Sequence, residues 1–422
     1  MMVFSVLSLA FKSLKNRRLT VLLTIFSIAV SVALLIGVEK VRTEARASFA
    51  NTVSGTDVIV GARSGSVQLL LYSVFRIGNA TANISWRTYR ALAERSDVAW
   101  TIPLSLGDSH KGYRVLGTSD AYFDHYRYAG KNALKISQGK PFEAVFDVVL
   151  GAEVAGALGY ELGESIVLAH GLGREGISNH KDYPFTVVGI LSRTGTPVDR
   201  TVHISLEGME AIHVDWRGGA RIPGMAKTVD EIQQMKLRPK SITAFLVGLK
   251  SRVGAFAFQR SVNEFRREPL SAIFPGVALQ ELWDLMGAAE GALTVVSVFV
   301  VVSGLLGMIT MLLSSLNERR REMAILRSVG AGPIHILGLL VTEAAVLTIL
   351  GALIGLAVLY GGLAVSQTAI SEHFGLYLQV GIPSIREVKI LSLVAIAGVI
   401  AGLIPGYRAY RRSLADGMIV RT

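Results

Sequence analysis

Cysteine is absent from the 422 residues, which excludes disulfide bonds, thiol nucleophiles and thiolate metal ligands together. It says nothing about the redox compartment. A phosphate-binding loop is also missing. No G-x-x-x-x-G-K-[ST] occurs, and Gly130-Lys131-Asn132 and Gly139-Lys140-Pro141 keep the Gly-Lys pair without the hydroxyl or the upstream glycine. If nucleotide energy is used, another polypeptide is expected to hydrolyse it. There is no G-x-S-x-G elbow, H-E-x-x-H helix or distinctive carboxylate pair. The chain is therefore expected to be non-catalytic, with no catalytic, cofactor-binding or metal residue assigned. Charge is scarce as well, at 18% against 51% hydrophobic residues, with a mean hydropathy of +0.46. That is too apolar for an ordinary soluble enzyme and too polar for a chain embedded throughout.

What is present is an uneven distribution of apolar runs. One lies at Leu19 to Val38, three more crowd the last third, and a long, mostly polar stretch separates the first from the second. A run of about 20 uncharged residues crosses a bilayer core as a helix, because every backbone group must bond internally there. The net charge of +11 does not mark a nucleic-acid binder, since Lys and Arg fall largely beside the apolar runs, where an orientation signal places them.

The expected fold is an α-helical membrane protein with four transmembrane helices, one before and three after a large extracytoplasmic α+β domain of one or two lobes. Its segments are a cytoplasmic stretch 1–18, helix 19–38, external domain 39–289, helix 290–316, cytoplasmic connector 317–333, helix 334–365, short external loop 366–387, helix 388–407 and cytoplasmic tail 408–422. The basic residues Lys12, Lys15, Arg17 and Arg18, then Arg319 to Arg321, then Arg408, Arg411 and Arg412 put both termini in the cytoplasm. A signal peptide is the rival reading of the first run. The run is longer than a usual apolar signal region and lacks a small-x-small cleavage site, which favours a retained helix.

Small residues four apart, Ser303 with Gly307, Gly351 with Gly355 and Gly398 with Gly402, place close-packing faces on the last three helices. Whether those faces pack within one bundle or form a dimer seam stays open. Glu343 is a carboxylate within the third run, expensive in lipid unless paired. A structural contact inside the bundle is favoured over proton coupling.

In the external domain, strands are expected at 57–60, 114–116, 146–150, 165–169, 185–191, 200–204 and 242–249. Helices are expected at 85–94, 152–158, 206–213 and 253–267. Six histidines lie here: His110, His125, His170, His180, His203 and His213. None has ligand spacing that names a metal. His170 and His180 flank a Gly-rich stretch, Gly171 to Gly176, that suits a flexible lid. Scattered surface histidines account for the pattern equally, and whether they bind metal is left open. The basic loops at Arg217 to Arg221 and Lys236 to Lys240 read as solvated loops rather than contacts to anionic lipid.

The segment Asn317 to Pro333 carries its charges first, then Met323, Ile325, Leu326 and Val329 as apolar contacts, with Gly330 and Pro333 as a helix stop. The alternative is a plain amphipathic connector. With Glu322 to Ala331 between the second and third apolar runs, and a tail Pro405-Gly-Tyr-Arg-Ala-Tyr-Arg-Arg-Ser-Leu-Ala-Asp-Gly-Met418, the chain resembles the MacB/LolCE/FtsX-type ABC transporter permeases. Phe185 to Leu191 followed by Gly195 and Asp199 is similar to a strand of the MacB-type periplasmic core domain.

That resemblance implies an inner-membrane permease that pairs with a second permease, as homodimer or heterodimer, and with a separate ABC ATPase chain that binds ATP and Mg. It implies mechanotransmission through a coupling helix carrying Glu322, Met323, Ile325, Leu326, Arg327 and Gly330, with Glu322 and Arg327 touching the ATPase. Stalks are implied around Glu39 to Glu44 and Glu281 to Glu290. Transport of an amphiphile, peptide or lipoprotein is implied, with membrane lipid and a periplasmic substrate or adaptor as further partners. The alternative is FtsX-like signalling to a periplasmic enzyme, and the size of the external domain favours transport.

Overall fold

The computed structural model describes residues 17–52, 54–171, 178–217, 220–221, 227–318, 323, 325, 327–328, 330–374 and 381–411. They form two compact units, one drawn from 1–44, 287–368 and 378–422, the other from 45–286 and 369–377.

The first unit holds most of four long helices, α1 (Arg18–Thr52), α2 (Pro275–Glu318), α3 (Pro333–Phe374) and α4 (Ile385–Tyr410). Each contains a stretch long and apolar enough to cross a membrane. All four outrun the apolar segments read from sequence. The hydropathy pattern marks only the part that lipid would solvate, whereas helical hydrogen bonding continues while the flanking polar residues allow it. Polar side chains also cap a helix here. Ser384 accepts from the Glu387 amide while Glu387 reaches back to the Ser384 amide, a capping box that starts α4. α4 continues through Pro405. The bundle core is Val32 and Ile36 of α1, Met308 and Leu312 of α2, Ala344 and Leu347 of α3, and Val394 of α4.

The second unit is organised by a mixed sheet of twelve strands among the described residues. Nine form its path: β1 (Val58–Ala62), β2 (Val98–His110), β3 (Tyr113–Thr118), β4 (Ile136–Gly139), β5 (Asp147–Leu150), β6 (Phe185–Leu191), β7 (Thr201–Ser205), β8 (Ala244–Leu249) and β9 (Leu270–Ile273). Their spatial order is β9-β1-β8-β2-β3-β7-β5-β6-β4. The β3–β7 and β5–β6 pairs are parallel; the other pairs along the path are antiparallel.

β2 joins the two halves of the sheet. Its first half pairs with β8, as in Ile102 opposite Leu246, and its second half pairs with β3, as in Ser105 opposite Gly117. Side chains alternate across the strands, so one face presents Ile59, Leu246, Ile102, Leu116, Val149 and Leu191 to a single core. The opposite face is divided. Val58, Val60, Phe245 and Val247 pack with Phe258 at one end, while Val115, Val148, Val202 and Ile204 pack with Phe185 and Ile212 at the other. The two lobes suggested by sequence are thus one sheet with a common face and a split one.

Short helices follow local capping chemistry. Trp86–Ala93 starts where the Ser85 side chain accepts from the Thr88 amide, and Leu206–Ala211 where Ser205 accepts from Gly208. Ala152–Leu158 ends on Gly159 at φ +70°, a left-handed position that glycine adopts without strain. Two short strands, Ala169–His170 and Ser178–Asn179, pair as the arms of a hairpin, and the first of them also pairs with β2.

Candidate functional site

Within the helical unit, the glycine faces of α3 and α4 meet neighbouring helices at close range. A Cβ at Gly351 would lie 2.7 Å from the Ile28 side chain, and one at Gly355 would lie 2.5 Å from the Ala29 carbonyl oxygen, both on α1. Gly398 faces Thr348, and Gly402 faces Ala344, both on α3. α2 approaches α1 through Gly304, whose Cβ would sit 3.0 Å from Ser31 Oγ. That hydroxyl donates to the Val300 carbonyl at 3.1 Å. Ser303 and Gly307 lie on another face of α2. Both are exposed, and a Cβ on Gly307 would meet nothing within 4 Å. Glu343 is 2% exposed and is not without an interaction partner.

Charged residues near one end of the apolar spans form a clasp. Lys40 of α1, only 6% exposed, lies 3.7 Å from both Glu44 and Glu387 and over the Tyr360 ring at 5.1 Å. The Tyr360 hydroxyl donates to Glu387 at 2.6 Å, and the Ser384 amide donates to the same oxygen at 3.0 Å. Glu39 adds ion pairs to Arg42 at 2.6 Å and to Arg386 at 3.0 Å. Three helices, α1, α3 and α4, are therefore joined by one buried carboxylate and one buried ammonium. Lys40 and Arg42, which flank the first apolar run in sequence, are embedded in this network.

In the connector after α2, Met323, Ile325, Arg327 and Ser328 are helical. Met323 packs on Leu316, Ile336, Leu340 and Ala409, and Ile325 is exposed. The Gly330 amide donates to the Arg327 carbonyl at 3.0 Å, and Gly330 itself takes φ +102°, a stop that a side chain would strain. Glu322, Leu326 and Val329, with the arginines 319–321, lie outside the described residues, as do the N-terminal stretch 1–16, the glycine-rich residues 172–177 and the tail from Arg412.

The sheet unit gathers three of its six histidines around one carboxylate. Asp108, near the end of β2, and His170, on the adjoining hairpin arm, are directly opposite in register. His180 follows the other arm, and His213 follows the helix Leu206–Ala211. His170 Nδ1 donates to Asp108 Oδ1 at 3.0 Å, which raises the histidine's pKa above its ordinary value. His213 Nε2 is 3.3 Å from His170 Nδ1 and 3.6 Å from Asp108 Oδ2. His213 Nδ1 lies 2.9 Å from the Met209 carbonyl, and since a carbonyl only accepts, that nitrogen carries a proton. In the neutral ring the Nε2 lone pair then faces the cluster. His180 is 5% exposed and its Nε2 has no hydrogen-bond partner. Burial pushes its pKa down to about 4. Trp216 stands over the group, with ring centroids 4.6 Å from His170 and 5.6 Å from His180.

The other three histidines do not join. His110 sits between the Val167 carbonyl at 2.7 Å and the Tyr160 hydroxyl at 2.9 Å, His125 stacks on Trp100, and His203 lies against Tyr122.

Two family models match the chain. A MacB-like periplasmic core domain covers residues 19–253, more than half of its length, and an FtsX-like permease C-terminal domain covers residues 294–414. This chain belongs to the MacB/FtsX-type ABC permeases. Permeases of this kind work with a separate ABC ATPase and are generally non-catalytic. The family and four helices able to span a membrane together mark an inner-membrane protein with an extracytoplasmic domain. No curated protein matches the permease. Among solved structures, the periplasmic region of MacB from Actinobacillus actinomycetemcomitans is 12% identical, with a TM-score of 0.33, covering 55% of this chain and 94% of that one. The extracellular domain of the noncanonic ABC-type transporter YknZ from Gram-positive bacteria is also 12% identical, with a TM-score of 0.31, covering 52% and 99%.

Proposed function

We propose that this permease is the membrane subunit of an ABC transporter whose ATPase, a separate chain, binds ATP and Mg and drives the permease mechanically. The coupling element is the connector around Met323 to Gly330, with Glu322 and Arg327 meeting the ATPase. The cargo is an amphiphile, peptide or lipoprotein handled by the extracytoplasmic domain, and two permeases act together. Both termini face the cytoplasm, in keeping with the arginines at the starts and ends of the apolar spans.

The observation that carries this reading is the joint match of a MacB-like core domain and an FtsX-like permease domain in one chain, whose residues hold no phosphate loop. Element continuity supports it. α1 and α2 are each unbroken from their apolar spans through the polar residues beyond them, and a helix with every turn hydrogen-bonded passes on a displacement without absorbing it in loose backbone.

Purification of the tagged permease from its native membrane in mild detergent tests the coupling. A nucleotide-binding chain is expected to accompany the wild type and to fall at least about tenfold in a Glu322→Ala, Arg327→Ala double variant, equivalent to more than about 1.4 kcal/mol of contact. Recovery of the permease without any ATPase under all conditions would overturn the reading.

A further inference from the structure

We infer that Asp108, His170, His180 and His213 form a binding site for one divalent transition-metal ion of the zinc class in the sheet unit. One potential ligand atom from each residue lies within 4.8 Å of all the others. A zinc ion held at about 2.0–2.1 Å by nitrogen and oxygen ligands sets those ligands about 3.3–3.4 Å apart at the corners of a tetrahedron. His170 Nδ1 lies 3.0 Å from Asp108 Oδ1 and 3.3 Å from His213 Nε2, close to that edge, and the other carboxylate oxygen, Oδ2, is 3.6 Å from His213 Nε2.

Two buried groups are otherwise unexplained. Asp108 is 0% exposed and its Oδ2 has no hydrogen-bond donor; His180 Nε2, also buried, has none either. Orphaned buried polar atoms are rare in folded proteins, because each carries its full desolvation cost. One cation among them satisfies both. The supporting geometry is that of a metal ligand as well: the Met209 carbonyl holds the far nitrogen of His213, the outer contact that fixes a ligating imidazole's tautomer and orientation. His170 and His213 remain partly exposed, which leaves a way in.

The donor set chooses the ion. Three imidazoles with one carboxylate suit zinc, copper or nickel, whereas magnesium and calcium require mainly oxygen. Bound there, the ion ties both arms of the hairpin to β2 and to the residue beyond helix Leu206–Ala211. None of this rests on the transport reading.

The test uses the full chain carrying no polyhistidine tag, stripped with a chelator and then equilibrated with Zn²⁺ alone. One zinc per chain is expected to survive gel filtration and to raise the apparent melting temperature, with no such effect from Mg²⁺. A His170→Ala, His213→Ala double variant should retain less than a tenth of that zinc while melting, metal-free, within a few degrees of the metal-free wild type. Wild-type protein that retains no zinc, or a folded variant that retains as much as wild type, would refute the site. Should the variant fail to fold, cobalt-loaded wild type decides. The intense visible absorption of four-coordinate Co²⁺ supports the site, and the weak absorption of the six-coordinate ion refutes it.

Discussion

His203 occupies the middle of β7 with its ring fully enclosed. Tyr122 lies 5.2 Å away centroid to centroid, and His203 Nδ1 donates to the Val149 carbonyl at 3.3 Å. Burial, aided by the charge of Arg76, pushes its pKa down to about 3. In the unfolded chain the same ring takes up a proton near pH 6.5, so between about pH 6.5 and pH 3 the unfolded state holds more protons. Stability therefore falls as the pH drops through that window. The His203 share amounts to about 2 kcal/mol between pH 7 and pH 5. A His203→Asn variant keeps a donor for Val149 but does not titrate. Its unfolding midpoint, followed in detergent from pH 7 to pH 5, should fall less steeply than that of wild type. Equal slopes would place the acid-sensitive group elsewhere.

Glu387 presents the reverse case, a buried charge that is held by its partners. Removing it in Glu387→Ala leaves the Lys40 ammonium with Glu44 as its one carboxylate and takes the acceptor from the Tyr360 hydroxyl and the Ser384 amide. Breaking a buried pair from one side typically costs about 3–5 kcal/mol, so thermal unfolding of the purified permease should show a large loss. The Glu387→Gln change, which keeps an acceptor, should recover part of it.

At the level of elements, the bundle separates glycines that permit contact from glycines that merely line a surface. Gly355→Ala puts a methyl group against the Ala29 carbonyl, so α1 and α3 must part, at about 1–3 kcal/mol for overpacking. Gly307→Ala meets open space and should change the melting temperature of the monomer little. Comparing the two by thermal unfolding checks the assignment of α1 as the helix against which α3 closes.

Sequence spacing showed that these small residues share faces but not which neighbours they would meet, since that depends on helix rotation about the bundle. The sheet was legible where local signals are strong. Ser85 announces its helix by capping, and β6 shows its β-branched run between Phe185 and Leu191. β2 was not legible. Gly107, Asp108 and Ser109 interrupt its apolar alternation, and its pairing with two different partners is a tertiary fact. The histidine cluster was only partly legible for a related reason: its members come from four separate places in the chain and share no spacing. The one signal in the sequence was His170 and His180 flanking a Gly-rich stretch, and it pointed to neither Asp108 nor His213.

On the scale of the whole molecule, two family-level halves share one chain, and the sheet imposes an order on its synthesis. β1 is the first strand of the sheet in sequence, yet it is hydrogen-bonded on one side to β8 and on the other to β9. Just beyond β1, the Ser64 amide donates to Ser271 across 207 residues. Contacts so distant along the chain are slow to form, because the intervening loop must close first. During translation β1 thus emerges soon after α1 and then waits, with both edges unpaired, until Ile273 has followed it. Unpaired strand edges invite wrong partners. The β1 segment Val58-Ile-Val-Gly-Ala62, short and entirely apolar, is consequently a part of the nascent permease that gains from being shielded until its partners arrive.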